Sequence, residues 1–92
     1  MKTYRNPKYL SWIRTQLCAV CRKGGSQAHH EPLGENSMGG KPPDTHAIPL
    51  CLTCHYERHH FGVGWINDRI DTKMTIIKLL TRWLQKNFGE KK

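Results

Sequence analysis

A chain of 92 residues has room for one domain, and a core of that size is usually too small to be stable without a staple. With 15 Lys and Arg against 7 Asp and Glu, the formal charge is +8, so a polyanion is the default partner and an acidic membrane surface the second. No secretory leader or membrane-spanning run is read in the sequence; the four cysteines are therefore expected in a reducing cytoplasm, binding metal rather than pairing as disulfides.

The charge is unevenly placed. Lys2, Arg5, Lys8, Arg14, Arg22 and Lys23 crowd the first 23 residues with no acid among them, and Lys73, Lys78, Arg82, Lys86, Lys91 and Lys92 face only Glu90 at the other end. The segment between them, 24–72, is the acidic part and holds every histidine. The ends suit phosphate; the middle suits metal.

In chain order, Asn6 can cap a first helix, with Pro7 at a position helices tolerate and Tyr9, Leu10, Ile13 and Leu17 at helical spacing. That helix delivers Cys18 and Cys21 to a tight turn. "SQAHHE" reads as a short extended segment, "PLGENSMGGKPPD" as a long loop and "THAIPLC" as a second strand. Leu52 to His60 is helical, closed by Phe61 and Gly62. A last helix is expected from about Thr72 to Asn87, with Ile76, Ile77, Leu80, Trp83 and Leu84 on its apolar face and Lys78, Arg82 and Lys86 opposite. Residues 1–5 and 89–92 are expected to fray.

Cys18, Cys21, Cys51 and Cys54 form two CxxC pairs separated by a long insertion. Each pair can grip a metal from one turn, and together they close a tetrahedral zinc site, leaving no position for a histidine. A redox CxxC would sit in a βαβ pattern, which is absent. The histidines therefore point to a second site. His55 and His59 lie four apart on a helix and can offer two imidazoles to one ion. His29 and His30 are neighbours on an extended segment, where adjacent side chains point to opposite faces, so one can hold an ion while the other turns to a substrate.

The string "HHEPLGENSMGGKPPDTHAIPLCLTCHYERHH" resembles the HNH endonucleases, in particular small phage and prophage members; the resemblance covers roughly residues 18–62. It implies an α+β fold, a single small domain with a four-cysteine zinc knuckle, a ββα-metal core and flanking N- and C-terminal helices. It implies a metal-dependent DNA endonuclease leaving 5′-phosphate and 3′-hydroxyl ends. A monomer with one site would nick, and a double-strand break would take a dimer or two independent nicks. His30 would be the general base, and His29, His55 and His59 would hold the catalytic ion, for which Mn2+, Mg2+ and Ni2+ are all candidates. The reverse assignment of His29 and His30 stays open. No Asn stands at the family's middle position; Asp44 is the substitute and His46 its rival. Around such a site Arg58, Lys41, Arg22 and Lys23 are the candidate phosphate contacts, with little base readout expected. The competing readings are a non-catalytic zinc-stabilised DNA-binding module and a thiol redox protein whose cysteines react freely.

Overall fold

The computed structural model describes residues 3–33 and 42–89; the glycine-rich centre of the expected loop, with Lys41, lies outside them. Asn6 starts the first helix, α1 (Pro7–Arg14), its side chain accepting from the Tyr9 amide at 3.0 Å. The helix stops three residues before Leu17, which is 49% exposed instead of extending the apolar face. Tyr9 and Ile13 are the residues this helix buries.

Two strands, β1 (Ser26–His30) and β2 (Ala47–Cys51), pair antiparallel with Ser26 opposite Cys51 and His30 opposite Ala47. Ala47, Ile48 and Leu50 are fully buried, which explains the near-continuous apolar reading of "AIPL" where a half-exposed strand would alternate. Pro49 fits because a two-stranded sheet is all edge. A 3-10 turn at Asp44–His46 leads into β2.

Cys51 ends β2 and caps the next helix, α2 (Leu52–Phe61), its sulfur accepting from the Cys54 amide. Gly62 closes α2 at φ 89°, a backbone region that favours glycine. There follows a short helix that the sequence pattern did not disclose, α3 (Val63–Asn67), which buries Ile66. Asp71 then caps the long C-terminal helix, α4 (Thr72–Phe88), through the Met74 amide at 3.0 Å.

The face of α4 that packs is rotated from the one expected. Thr72, Ile76 and Leu79 are buried, with Leu80 and Trp83 partly so, whereas Ile77 and Leu84 are 54% and 53% exposed. Trp83 fixes this rotation by meeting α1: its ring lies 5.4 Å from Tyr9, edge-on, and 5.5 Å from Trp12. The Tyr9 hydroxyl is buried there without a hydrogen-bond partner. Burial pushes it up to about 12, against the pull of the Arg82 charge.

The result is a small α+β domain, two strands and, among the described residues, four α-helices. None of those helices is long and apolar enough to cross a membrane. The N-terminus is tied down earlier than expected: Tyr4 accepts from the Asp44 amide at 3.1 Å, and Arg5 pairs with the Asp44 carboxylate.

Candidate functional site

Alternation along β1 builds the first half of the site. Side chains two apart on a strand share a face, so Gln27, His29 and, just past the strand end, Glu31 all meet α2. Gln27 Oε1 lies 2.6 Å from His55 Nδ1, Glu31 meets Arg58, and His29 comes between them with its ring 5.0 Å from His55 and 5.2 Å from His59. The four-residue spacing on α2 brings His55 Nε2 and His59 Nε2 to 3.1 Å. One ligand atom from each of His29, His55 and His59 lies within 4.8 Å of the other two.

The partners of these rings decide which nitrogens remain available. A carboxylate only accepts, so His29 Nε2 donates to Glu31 Oε1 at 2.7 Å and its lone pair is left on Nδ1. With the Gln27 oxygen accepting from Nδ1 of His55, the lone pair of that ring is on Nε2, the atom facing His59. Burial and the charges of His29, His59 and Arg58 all hold His55 below the usual imidazole range, which keeps the ring neutral.

Glu31 is itself held by a two-pronged pair: Arg58 Nε donates to Oε1 at 2.9 Å and Nη2 to Oε2 at 2.8 Å. Burial works to raise the Glu31 carboxyl, but the hydrogen bonds from His29 and Arg58 and their charges outweigh it, and the group stays ionised below its ordinary range. Here one sequence expectation is corrected. Arg58 is not presented as a phosphate contact: its side chain is 9% exposed and both prongs are engaged with Glu31. Neither Glu31 nor this role for Arg58 was read from the sequence. The signal was there in the Q-x-H-x-E alternation, but its partner on α2 is 27 residues away and no spacing rule reaches it.

His30, one residue on, points to the other side. Its Nε2 donates to Asp44 Oδ1 at 2.8 Å, and the ring is 27% exposed, with no hydrogen bond to Nδ1 among the described residues. Asp44 is nearly buried and also accepts from the Asn6 amide at 2.6 Å and from Arg5 Nη1 at 3.0 Å. Burial raises its carboxyl, yet these donors prevail and hold it below the usual range. The hydrogen bond to His30 is thus made by Asp44. His46 is close enough for the His30 charge to act on it, and burial first, then that charge, lowers it. Asp44 is not among the three-histidine group, and its carboxylate holds His30.

The cysteines gather separately. Cys18, Cys21, Cys51 and Cys54 offer sulfurs within 4.8 Å of one another, with Cys21 and Cys51 at 3.5 Å, and none is in a disulfide. Both CxxC turns direct an amide back at the leading sulfur, Cys21 N to Cys18 and Cys54 N to Cys51, each at 3.5 Å. Arg22 and Lys23 are exposed immediately beyond this cluster.

The sequence matches a family model described as a protein of unknown function, DUF968, over residues 1–85. The chain belongs to the DUF968 family. The DUF968 chain is also 34% identical over 71 residues to an uncharacterized protein, YdfU, of Escherichia coli strain K12; that stretch is 76% of this chain and 20% of the relative. It therefore spans about a fifth of the relative's length. No solved structure matches it.

Both clusters of this DUF968 chain fit metal ions, of different kinds. Zinc–sulfur bonds of about 2.3 Å place tetrahedral sulfurs about 3.8 Å apart, close to the Cys21–Cys51 separation of 3.5 Å. The thiols cannot all ionise by themselves: burial raises Cys18, but amides of Cys21, Cys51 and Val20 bring it to about 6, while burial and the neighbouring sulfurs push Cys54 far up. A bound cation would supply the counter-charge. Among the described residues the histidine cluster supplies three ligands, two of them 3.1 Å apart, between the spacings of about 3.0 Å and about 3.4 Å that bonds of about 2.1 Å produce in octahedral and tetrahedral geometry. With three ligands, such a site would keep a position open.

Proposed function

We propose that this chain is a metal-dependent DNA endonuclease of the HNH type, with a ββα-metal core made of β1, β2 and α2 and a structural zinc on the four cysteines. The observation that supports this reading is the contrast at the end of β1: His29 joins the helix histidines, while its neighbour His30 is fixed by Asp44 through Nε2, with no hydrogen bond to Nδ1 among the described residues. Phosphodiester hydrolysis needs those two functions side by side. A divalent ion on His29, His55 and His59 would supply positive charge beside the leaving 3′ oxygen.

The remaining steps belong to the protein. His30 Nδ1 takes the proton from the attacking water, a task for which imidazole needs no large adjustment near neutral pH. Asp44 keeps that ring in the tautomer with the proton on Nε2 and fixes its orientation, and Arg5 and the Asn6 amide fix Asp44. Glu31 holds His29 in the same way, and Arg58 holds Glu31. With one such site per chain, nicking is the activity expected.

The test is conversion of supercoiled plasmid to open circles by chelator-treated protein resupplied with Mg2+, Mn2+, Ni2+ or Zn2+, beside His30→Ala. General-base catalysis contributes about 10²–10⁴-fold, so His30→Ala should lose nicking by that factor while keeping its metal. If neither protein cuts but both retain zinc and bind DNA, the non-catalytic binding module replaces the nuclease. If the variant cuts like the parent, His30 is not the base.

A further inference from the structure

Away from both clusters, the turn after the second cysteine and the middle of α4 meet in a cleft of about 450 Å³ lined by Arg22, Lys78, Thr81 and Arg82. The same three cations also border a smaller recess of about 180 Å³, where Pro49 and Thr75 join them. Among the described residues no acid lines either part. All three cations are exposed, and none is paired with a carboxylate among the described residues. Lys78 and Arg82 lie one turn apart on α4 and so project together, but Arg22 comes from 56 residues earlier in the chain and arrives by an unusual route. Its φ is +68°, a left-handed conformation that favours glycine and that an arginine adopts only against a steric penalty. A glycine would complete the turn more easily; an arginine adds a guanidinium to the cleft.

We infer that this cleft is a backbone-anchoring surface for duplex DNA, with Arg22, Lys78 and Arg82 each taking a phosphate. The inference rests on the nuclease reading for its choice of polyanion. It separates holding the duplex from cutting it: grip comes from the knuckle turn and α4, chemistry from β1 and α2. Phosphate contacts of this kind position the duplex without reading its sequence.

The experiment measures fluorescence anisotropy of a labelled duplex of about 20 base pairs against salt, with every protein in the His30→Ala background so that cutting is suppressed. Each phosphate contact contributes about 0.9 to the slope of log K against log salt. The triple variant Arg22→Gly, Lys78→Gln, Arg82→Gln should therefore lower that slope by about 3 and weaken binding about 10²-fold near 0.1 M salt. Arg22→Gly alone should lower the slope by about 1 while its melting temperature stays level or rises, an outcome that a merely structural arginine would not give. A control with Lys8, Arg14 and Lys73 changed to Gln removes equal charge elsewhere and should keep most of the slope. Equal losses in control and cleft variants would overturn the proposal, leaving only net charge. Unchanged binding by the cleft variant, beside a parent that binds, would overturn it too and leave the nuclease reading standing. If the parent itself does not bind DNA, both fall together.

Discussion

The cysteine cluster and the histidine cluster share one short stretch, since Cys51, Cys54, His55 and His59 all lie within nine residues, yet they are built differently. Four sulfurs lie within 4.8 Å of one another in the first and three imidazole nitrogens in the second; four ligands can close a tetrahedral zinc site, whereas three leave a position open. The leading sulfur of each CxxC pair accepts from an amide of its own turn, whereas each ring of the pair His29 and His55 is held by a side-chain partner, Glu31 or Gln27. A centre that only has to persist can rely on closed coordination. A centre that must exchange ligands needs its residues positioned by something other than the metal, and the buried Glu31–Arg58 pair supplies that.

The two centres should accordingly fail in different ways. Cys54→Ser has the largest expected effect: metal binding at such a site is folding free energy, on the order of 10 kcal/mol in small zinc modules, so the cooperative thermal transition followed by circular dichroism should disappear. Glu31→Ala comes next. It leaves the Arg58 charge buried and unpaired, a loss of about 3–5 kcal/mol that should appear in the urea midpoint, together with weaker binding of the second ion.

His59→Ala sharpens the contrast. His59 is exposed on α2, so stability should change by no more than about 0.5 kcal/mol, while calorimetric titration with Mn2+ or Ni2+ should show the second site gone and plasmid nicking with it. The smallest effect is on the acid limb. The folded-state carboxyl of Asp44 lies below its ordinary value of 3.8, so its stabilising contribution is complete above that pH and fades as pH falls through the lower folded value. Denaturation midpoints measured from about pH 5 to about pH 2.5 should drop for the parent more steeply than for Asp44→Asn.

What could be read from the sequence was what obeys a period or a cap. Asn6 and Pro7 place the start of α1, the His55–His59 spacing places two rings on one face of α2, and alternation separates His29 from His30. What could not be read depends on how distant segments dock. Ile77 and Leu84 share an apolar stripe with Ile76 and Leu80 by periodicity alone; only the meeting of Trp83 with Tyr9 and Trp12 selects which edge of that stripe is buried. A five-residue helix such as α3 is too short to show a period. Arg58 looked like a surface cation because its neighbours are charged and polar, and only the folded position of Glu31 reveals a buried pair.

The central claim is that one chain carries a closed centre for structure and an open one for chemistry. Metal content per chain before and after dialysis against a mild chelator, with plasmid nicking and the circular dichroism spectrum recorded on the same samples, tests it most directly. The account predicts two metal ions on the fully loaded protein: dialysis removes one, abolishes nicking and leaves the spectrum unchanged, and nicking returns when a divalent ion is added back. A single metal ion under all conditions, or nicking that survives removal of the exchangeable one, would contradict it.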